Sequence, residues 1–157
     1  MNQFNRDVLI KLIEESHLTY TPLFTAKPHV FISKSNPLAN KKSIRLEELE
    51  NYPYLSYEQG INNSFYFAEE ILPQENHKKS IVVSDRATLF NLLIGLDGYT
   101  LATGILNTNL NGDQILSIPL EIDDQIELVY LQHQKSQLSK MGEAYISYLK
   151  EEVSQQT

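Results

Sequence analysis

Apolar residues fall along this chain in two rhythms, and the change of rhythm marks its elements. The clearest case is VVSDRATLFNLLIGLDGYTLATGI over residues 82–105. Ile81, Val82 and Val83 are β-branched and predict a strand, while Ser84 and Asp85 carry acceptors able to cap a helix start. Leu89, Leu92, Leu93 and Leu96 then recur at helical spacing and predict one buried face. Gly95 and Gly98 predict the end of that helix, and residues 99–102 restart as a strand. Two parallel strands joined by a helix need a connection of about a dozen residues or more, which this stretch supplies. Its last strand stops at Thr103-Gly104, and open α/β sheets place their ligands at such carboxyl ends.

The same reading extends to both sides. Asn5 or Asp7 can cap a first helix with apolar positions Val8, Leu9, Leu12 and Ile13, and His17 near its end reads as a surface residue. Residues 19–25 and 30–33 are strands around Lys27-Pro28, and residues 35–38 are a turn. Residues 46–49 make one helical turn, stopped by Tyr52-Pro53, and residues 54–57 are a strand. A polar loop over residues 58–64 leads into a helix over 65–71, with Asn63 or Ser64 at its cap. The first-turn N–H groups of such a helix attract a carboxylate or phosphate, although a cap also simply satisfies its own helix. Residues 107–112 are a polar turn region, residues 115–118 a strand, and Glu121, Asp123 and Asp124 an acidic turn. Residues 126–131 alternate as a strand, with Ile126, Leu128 and Tyr130 to one side. A last helix runs from Ser139 to about Val153, with Met141, Tyr145, Tyr148 and Leu149 on one face.

Composition narrows the classes of function. With 157 residues, 41% hydrophobic and 21% charged, the chain is one ordinary domain's worth of globular sequence. Thirteen basic residues against 20 acidic leave a net charge of −7, which argues against holding DNA or an anionic membrane by bulk field. Without cysteine there is no disulfide, thiolate zinc site or catalytic thiol. No apolar run approaches a membrane span and the first residues are not a signal peptide, so a cytoplasmic address is the default. His17, His29, His77 and His133 show no i, i+4 pairing, so no metal site is expected. No G-x-S-x-G elbow, phosphate loop or dinucleotide fingerprint occurs, and neither catalytic residues nor a cofactor are expected. The reading is of a protein that is not an enzyme.

The order of the pieces then carries a resemblance. KPHVFISKSNPLA over residues 27–39 resembles the strand and "HPLA" segment of LysR-type transcriptional regulators, with Asn36 where histidine is frequent, a surface turn change of little weight. LEELENYPYL over residues 46–55 is similar to their step into a second lobe. VSDRAT at residues 83–88 with LLIGLDGYT at residues 92–100 is similar to their helix and following strand, although Asp97 alters the usual Gly-x-Gly turn. Residues 138–149 resemble the closing helix, so nearly the whole chain is covered.

The resemblance implies an α/β, periplasmic-binding-protein-like (type II) effector domain with a cleft between two lobes crossed by two strands. One lobe is complete over residues 32–131, and the other is partial, over 1–31 and 132–157. The chain resembles an N-terminally truncated regulator, since neither a winged helix-turn-helix nor the opening strand-helix-strand of the first lobe is found. DNA would then be reached only through a missing N-terminal domain. A free-standing solute-binding protein of the same fold is the alternative reading. The implied function is ligand sensing that controls oligomer geometry, with self-association as a homodimer through the first helix (Val8, Leu12) and the last (Tyr145, Leu149). The partner is a small-molecule effector, to which an anionic group would suit the helix start. Effector contacts carried over from the resemblance are Thr21, Asn63, Ser64 and Phe65. Ser56, Gln59 and Asn62 of the same loop, and Thr103 and Gly104 opposite, complete the expected site.

Overall fold

The computed structural model describes residues 6–58 and 77–156. Along the chain these form α1 (Arg6–Glu15), β1 (Leu18–Ala26), β2 (His29–Ser33), α2 (Leu46–Leu49), β3 (Tyr54–Tyr57) and β4 (Ser80–Val83). There follow α3 (Arg86–Gly95), β5 (Tyr99–Ala102), α4 (Thr108–Asn111), β6 (Ile115–Pro119), β7 (Ile126–His133) and α5 (Lys140–Gln156). They fall into two compact units, residues 27–124 and residues 1–26 with 125–157. The α/β class expected from the pattern is what is found.

The inner unit is built on a five-stranded mixed sheet in the order β4-β3-β5-β2-β6. Strands β4 and β5 each run parallel to β3, with Tyr54 opposite both Ser80 and Tyr99. The consecutive β4-α3-β5 segment is thus a crossover that spans β3. Period-two alternation divides the core into two layers. Val30, Ile32, Tyr54, Tyr99 and Ile118 lie on one face with Ile44 and Leu49. Phe31, Leu55, Val83 and Ile115 lie on the other beneath Leu89 and Leu93 of α3.

Asp85 caps α3, its carboxylate accepting from the Thr88 N–H at 2.9 Å and the Thr88 hydroxyl at 2.7 Å. Of the four leucines expected on one buried face, Leu89 and Leu93 are buried, Leu92 is half-buried and Leu96 is 47% exposed. Leu96 is the C-cap rather than part of the packed stripe, which explains its exposure. The left-handed residue after α3 is Asp97, at φ 51°, not a glycine. Gly98 is needed for closeness instead: a Cβ there would lie 2.9 Å from Leu55 Cδ1 and 3.1 Å from the Pro53 carbonyl oxygen.

Asn36 corrects the expectation of an inconsequential surface position. It is buried, its amide donates to the Asp97 carbonyl at 2.9 Å, and its side-chain oxygen accepts from the Leu38 N–H at 2.9 Å. It therefore fastens the turn after β2 to the turn after α3. The polar stretch expected as a turn after β5 contains the single-turn helix α4, with the Asn107 side chain accepting from the Asn109 N–H at 3.0 Å.

In the outer unit, β1 and β7 form a two-stranded antiparallel sheet from Leu18↔His133 to Ala26↔Ile126, irregular between Pro22 and Phe24. Helices α1 and α5 pack on β1. His17 takes the left-handed position after α1, at φ 57°, and is exposed. None of the residues of this unit whose burial is described is fully buried. Ile126, Leu128 and Tyr130 do not separate from their neighbours, because residues 126–130 are all half-buried. Of the expected apolar face of α5, Met141, Tyr145 and Tyr148 are exposed and Leu149 is half-buried.

Candidate functional site

The parallel run of β3, β4 and β5 gives the inner sheet a carboxyl edge, and three of the expected effector residues stand along it. Ser56 is a buried residue of β3, while Thr103 and Gly104 follow β5. Beyond β3 the chain is steered by the Glu58 N–H, which donates to the Val83 carbonyl at 2.9 Å. Thr21 is an exposed residue of β1 opposite Tyr130, in the other unit. Gln59, Asn62, Asn63, Ser64 and Phe65, together with the helix expected over 65–71, lie outside the described residues.

Gly104 has a structural reason for being glycine. Its φ is +87°, and a Cβ there would sit 2.5 Å from Nδ1 of His29. The His29 ring thus occupies the space a side chain would fill, fixed by a 2.9 Å hydrogen bond between its Nδ1 and the Lys27 carbonyl. The Gly104 carbonyl in turn accepts from the Ser117 hydroxyl at 3.0 Å. Sequence spacing gives no sign of this, since His29 and Gly104 meet only through the β2-β5 ladder, where His29 faces Ala102.

The opposite, amino edge of the same strands holds a cluster that the sequence reading passed over. The His77 ring stacks on Tyr54 at 4.0 Å between centroids and 22° between planes. Its Nδ1 meets the Tyr99 hydroxyl at 2.8 Å. A phenol is the stronger acid of the two, so the natural assignment has the Tyr99 O–H donating to Nδ1, which leaves the ring proton on Nε2. Nε2 is buried and has no partner among the described residues. Burial lowers the His77 pKa from its ordinary value and pushes the Tyr99 phenol up to about 12. Both groups are therefore neutral at pH 7. A ring sealed at Nε2 and engaged at Nδ1 is not placed to exchange protons with a substrate. The usable signal was the parallel register, which aligns Tyr54 with Tyr99 and brings the residues before Ser80 alongside.

Above this cluster opens a cavity of about 210 Å³, lined by Leu46, Leu49, Tyr52 and Tyr99, with Glu47, Glu50, His77 and Lys78 adding polar groups. Among the described residues no group of three or more His, Asp or Glu could hold a metal ion. No helix among them is long and apolar enough to cross a membrane.

A five-stranded mixed sheet in one unit and a two-stranded antiparallel sheet in the other define the class. The fold is that of the periplasmic-binding-protein-like (type II) domains. The family model of the LysR substrate binding domain matches residues 8–154, and the chain belongs to that family. Its regulators are not enzymes. No curated protein sequence matches.

Solved structures share the fold at low identity. The PA01 protein of Pseudomonas aeruginosa, classed with LysR family transcriptional regulators, is 12% identical with a TM-score of 0.64, over 95% of this chain and 59% of that one. HinK, a LysR family transcriptional regulator from Pseudomonas aeruginosa, is 14% identical with a TM-score of 0.63, over 88% of this chain and 49% of that one. The effector binding domain of QuiR, solved in complex with shikimate, is 15% identical with a TM-score of 0.58, over 90% of this chain and 68% of that one. The chain therefore spans about half to three-fifths of the two regulators from Pseudomonas aeruginosa.

Proposed function

We propose that this chain is the ligand-sensing domain of a LysR-type transcriptional regulator, taking a small-molecule effector at the carboxyl edge of the inner sheet. The observation that carries the reading is that Ser56 lies in β3 and Thr103-Gly104 follow the parallel β5, within a chain the family model covers almost completely. In this reading the inner unit is the second lobe and the outer unit a partial first lobe, with the effector in the cleft between lobes. Thr21 would approach from the first lobe, and Gln59, Asn62, Asn63, Ser64 and Phe65 from the loop after β3. The helix start expected from the sequence near Ser64 would favour an anionic effector, since first-turn N–H groups and the dipole act together. That QuiR holds shikimate, an organic acid, supports this choice of chemistry.

The test is a titration of the regulator with small organic acids, wild type against Ser64→Ala and Thr103→Val. Charge-assisted hydrogen bonds contribute roughly 1.5–3 kcal/mol, so each loss weakens binding about tenfold or more. Unchanged affinity in both variants would place the effector elsewhere.

Effector binding acts, in the same reading, on the geometry of a homodimer. The outer unit supports self-association, because it has no fully buried residue among those described and exposes Leu131, Met141, Tyr145 and Tyr148. Apolar surface of that kind is commonly covered by a partner. DNA contact belongs to a separate domain, since the family's effector domain fills residues 8–154. A cytoplasmic location goes with a transcriptional role.

A further inference from the structure

The cavity over the His77–Tyr99 cluster lies at the amino ends of β3, β4 and β5, the edge of the sheet opposite Ser56 and Thr103. We propose that it is a second ligand site, separate from the effector edge, and that it takes a small organic ammonium ion.

Three features select that chemistry. The first is charge. Glu50 is engaged by the Lys78 ammonium, while Glu47 has no ion-pair partner among the described residues. Two carboxylates against one ammonium leave the rim negative. His77 adds no compensating charge, because its Nδ1 is taken by Tyr99 and its buried Nε2 has no partner among the described residues.

The second feature is the wall. Tyr52 and Tyr99 offer ring surface and Leu46 and Leu49 aliphatic surface, so an apolar body is received below a negative rim. Aromatic faces favour a cation over an anion. A carboxylate brought to the same place would meet Glu47, which no cation lining the cavity offsets, because Lys78 is paired with Glu50.

The third feature is size. A cavity of about 210 Å³ has the bulk share of roughly seven waters, so the occupant is a single ring or short chain carrying one amine. This is smaller than the usual drug-sized pocket.

The experiment uses benzylamine as probe, with benzyl alcohol and benzoate as isosteres of different charge, added to the whole chain and followed by amide chemical shifts. Benzylamine is expected to shift Leu49, Tyr52, Lys78 and Tyr99 while leaving Glu58, Thr103 and Gly104 in place. The alcohol and the acid are expected to bind several-fold more weakly. Glu47→Gln, on the solvent side of α2, should weaken benzylamine by about two- to fivefold, the range for a partly exposed cationic contact. Tyr52→Leu should weaken it by a similar factor without altering the charge. Equal binding of all three probes, unchanged affinity in both variants, or shifts confined to the carboxyl edge would each overturn the proposal. None of those outcomes touches the effector reading, whose test is at Ser64 and Thr103.

Discussion

Gly104→Ala is the substitution whose cost the structure fixes most closely. At φ +87° an alanine is in a region that L side chains avoid, at about 1–2 kcal/mol. Its methyl would also start 2.5 Å from Nδ1 and 2.7 Å from Cγ of His29, closer than real contacts allow. The ring must move, giving up its 2.9 Å hydrogen bond to the Lys27 carbonyl, worth roughly 0.5–1.5 kcal/mol. Together these predict a loss of about 1.5–3.5 kcal/mol. His29→Ala removes the obstacle, so in that background the glycine change should cost only the conformational part, about 1–2 kcal/mol. The difference is a coupling energy, readable from urea unfolding of the four species by circular dichroism. A cost below about 0.5 kcal/mol for Gly104→Ala, or the same cost with and without the His29 ring, would refute the reasoning.

Leu93→Ala, at a fully buried position under α3, should cost about 2–5 kcal/mol in the same assay, and a smaller value would mean the layer collapses around the gap. Asp85→Ala should lower the urea midpoint as a missing helix cap. The Asp85 pKa is lowered by its bonds to Thr88, so its stabilisation holds above the unfolded value and fades as acid protonates it; an alanine variant should be less acid-sensitive. His77 is shifted down by burial, so it leaves stability intact above its unfolded pKa of 6.5 and subtracts from it as pH falls below that value. His77→Gln should flatten the profile there. Tyr99 works at the other end: with its pKa raised from 10.0 to about 12, stability declines as pH rises from 10, and an ultraviolet titration should find one late phenol that Tyr99→Phe removes. Duplex DNA should not be held by this chain alone given its net charge of −7, and salt-sensitive micromolar binding would contradict that.

Local periodicity made the central helix and its strands legible, because Leu89, Leu93 and the β-branched run at 81–83 answer to packing on one sheet. Nothing local says that β3 lies between β4 and β5, since strand order is decided by partners distant in sequence. Asp97 took the left-handed position that the neighbouring glycines advertise, and Gly98 serves closeness to Leu55 instead. Asn36 looked like a surface turn residue because its acceptor, the Asp97 carbonyl, is 61 positions away. The stripe of Met141, Tyr145 and Tyr148 has helical spacing and is exposed, as a face expected to meet a second copy would be. At the candidate site the carboxyl edge was legible from Thr103-Gly104. The commitment of Gly104 to His29, and the His77–Tyr99 cluster, both depended on sheet register and were not.

The pairing of β1 with β7 has a consequence for how the chain folds. Their last partners, Ala26 and Ile126, bracket the whole inner unit, so that sheet closes a loop of ~100 residues. Closing so long a flexible loop costs roughly 3 kcal/mol more than closing one of three or four residues. A two-stranded sheet without a fully buried residue has little to set against that. Once residues 27–124 have folded, their ends are no longer free to wander, and most of that entropy is already spent. The inner unit should therefore collapse first and act as the clasp that brings β1 to β7, and destabilising it at Leu93 should dissolve the outer sheet along with it.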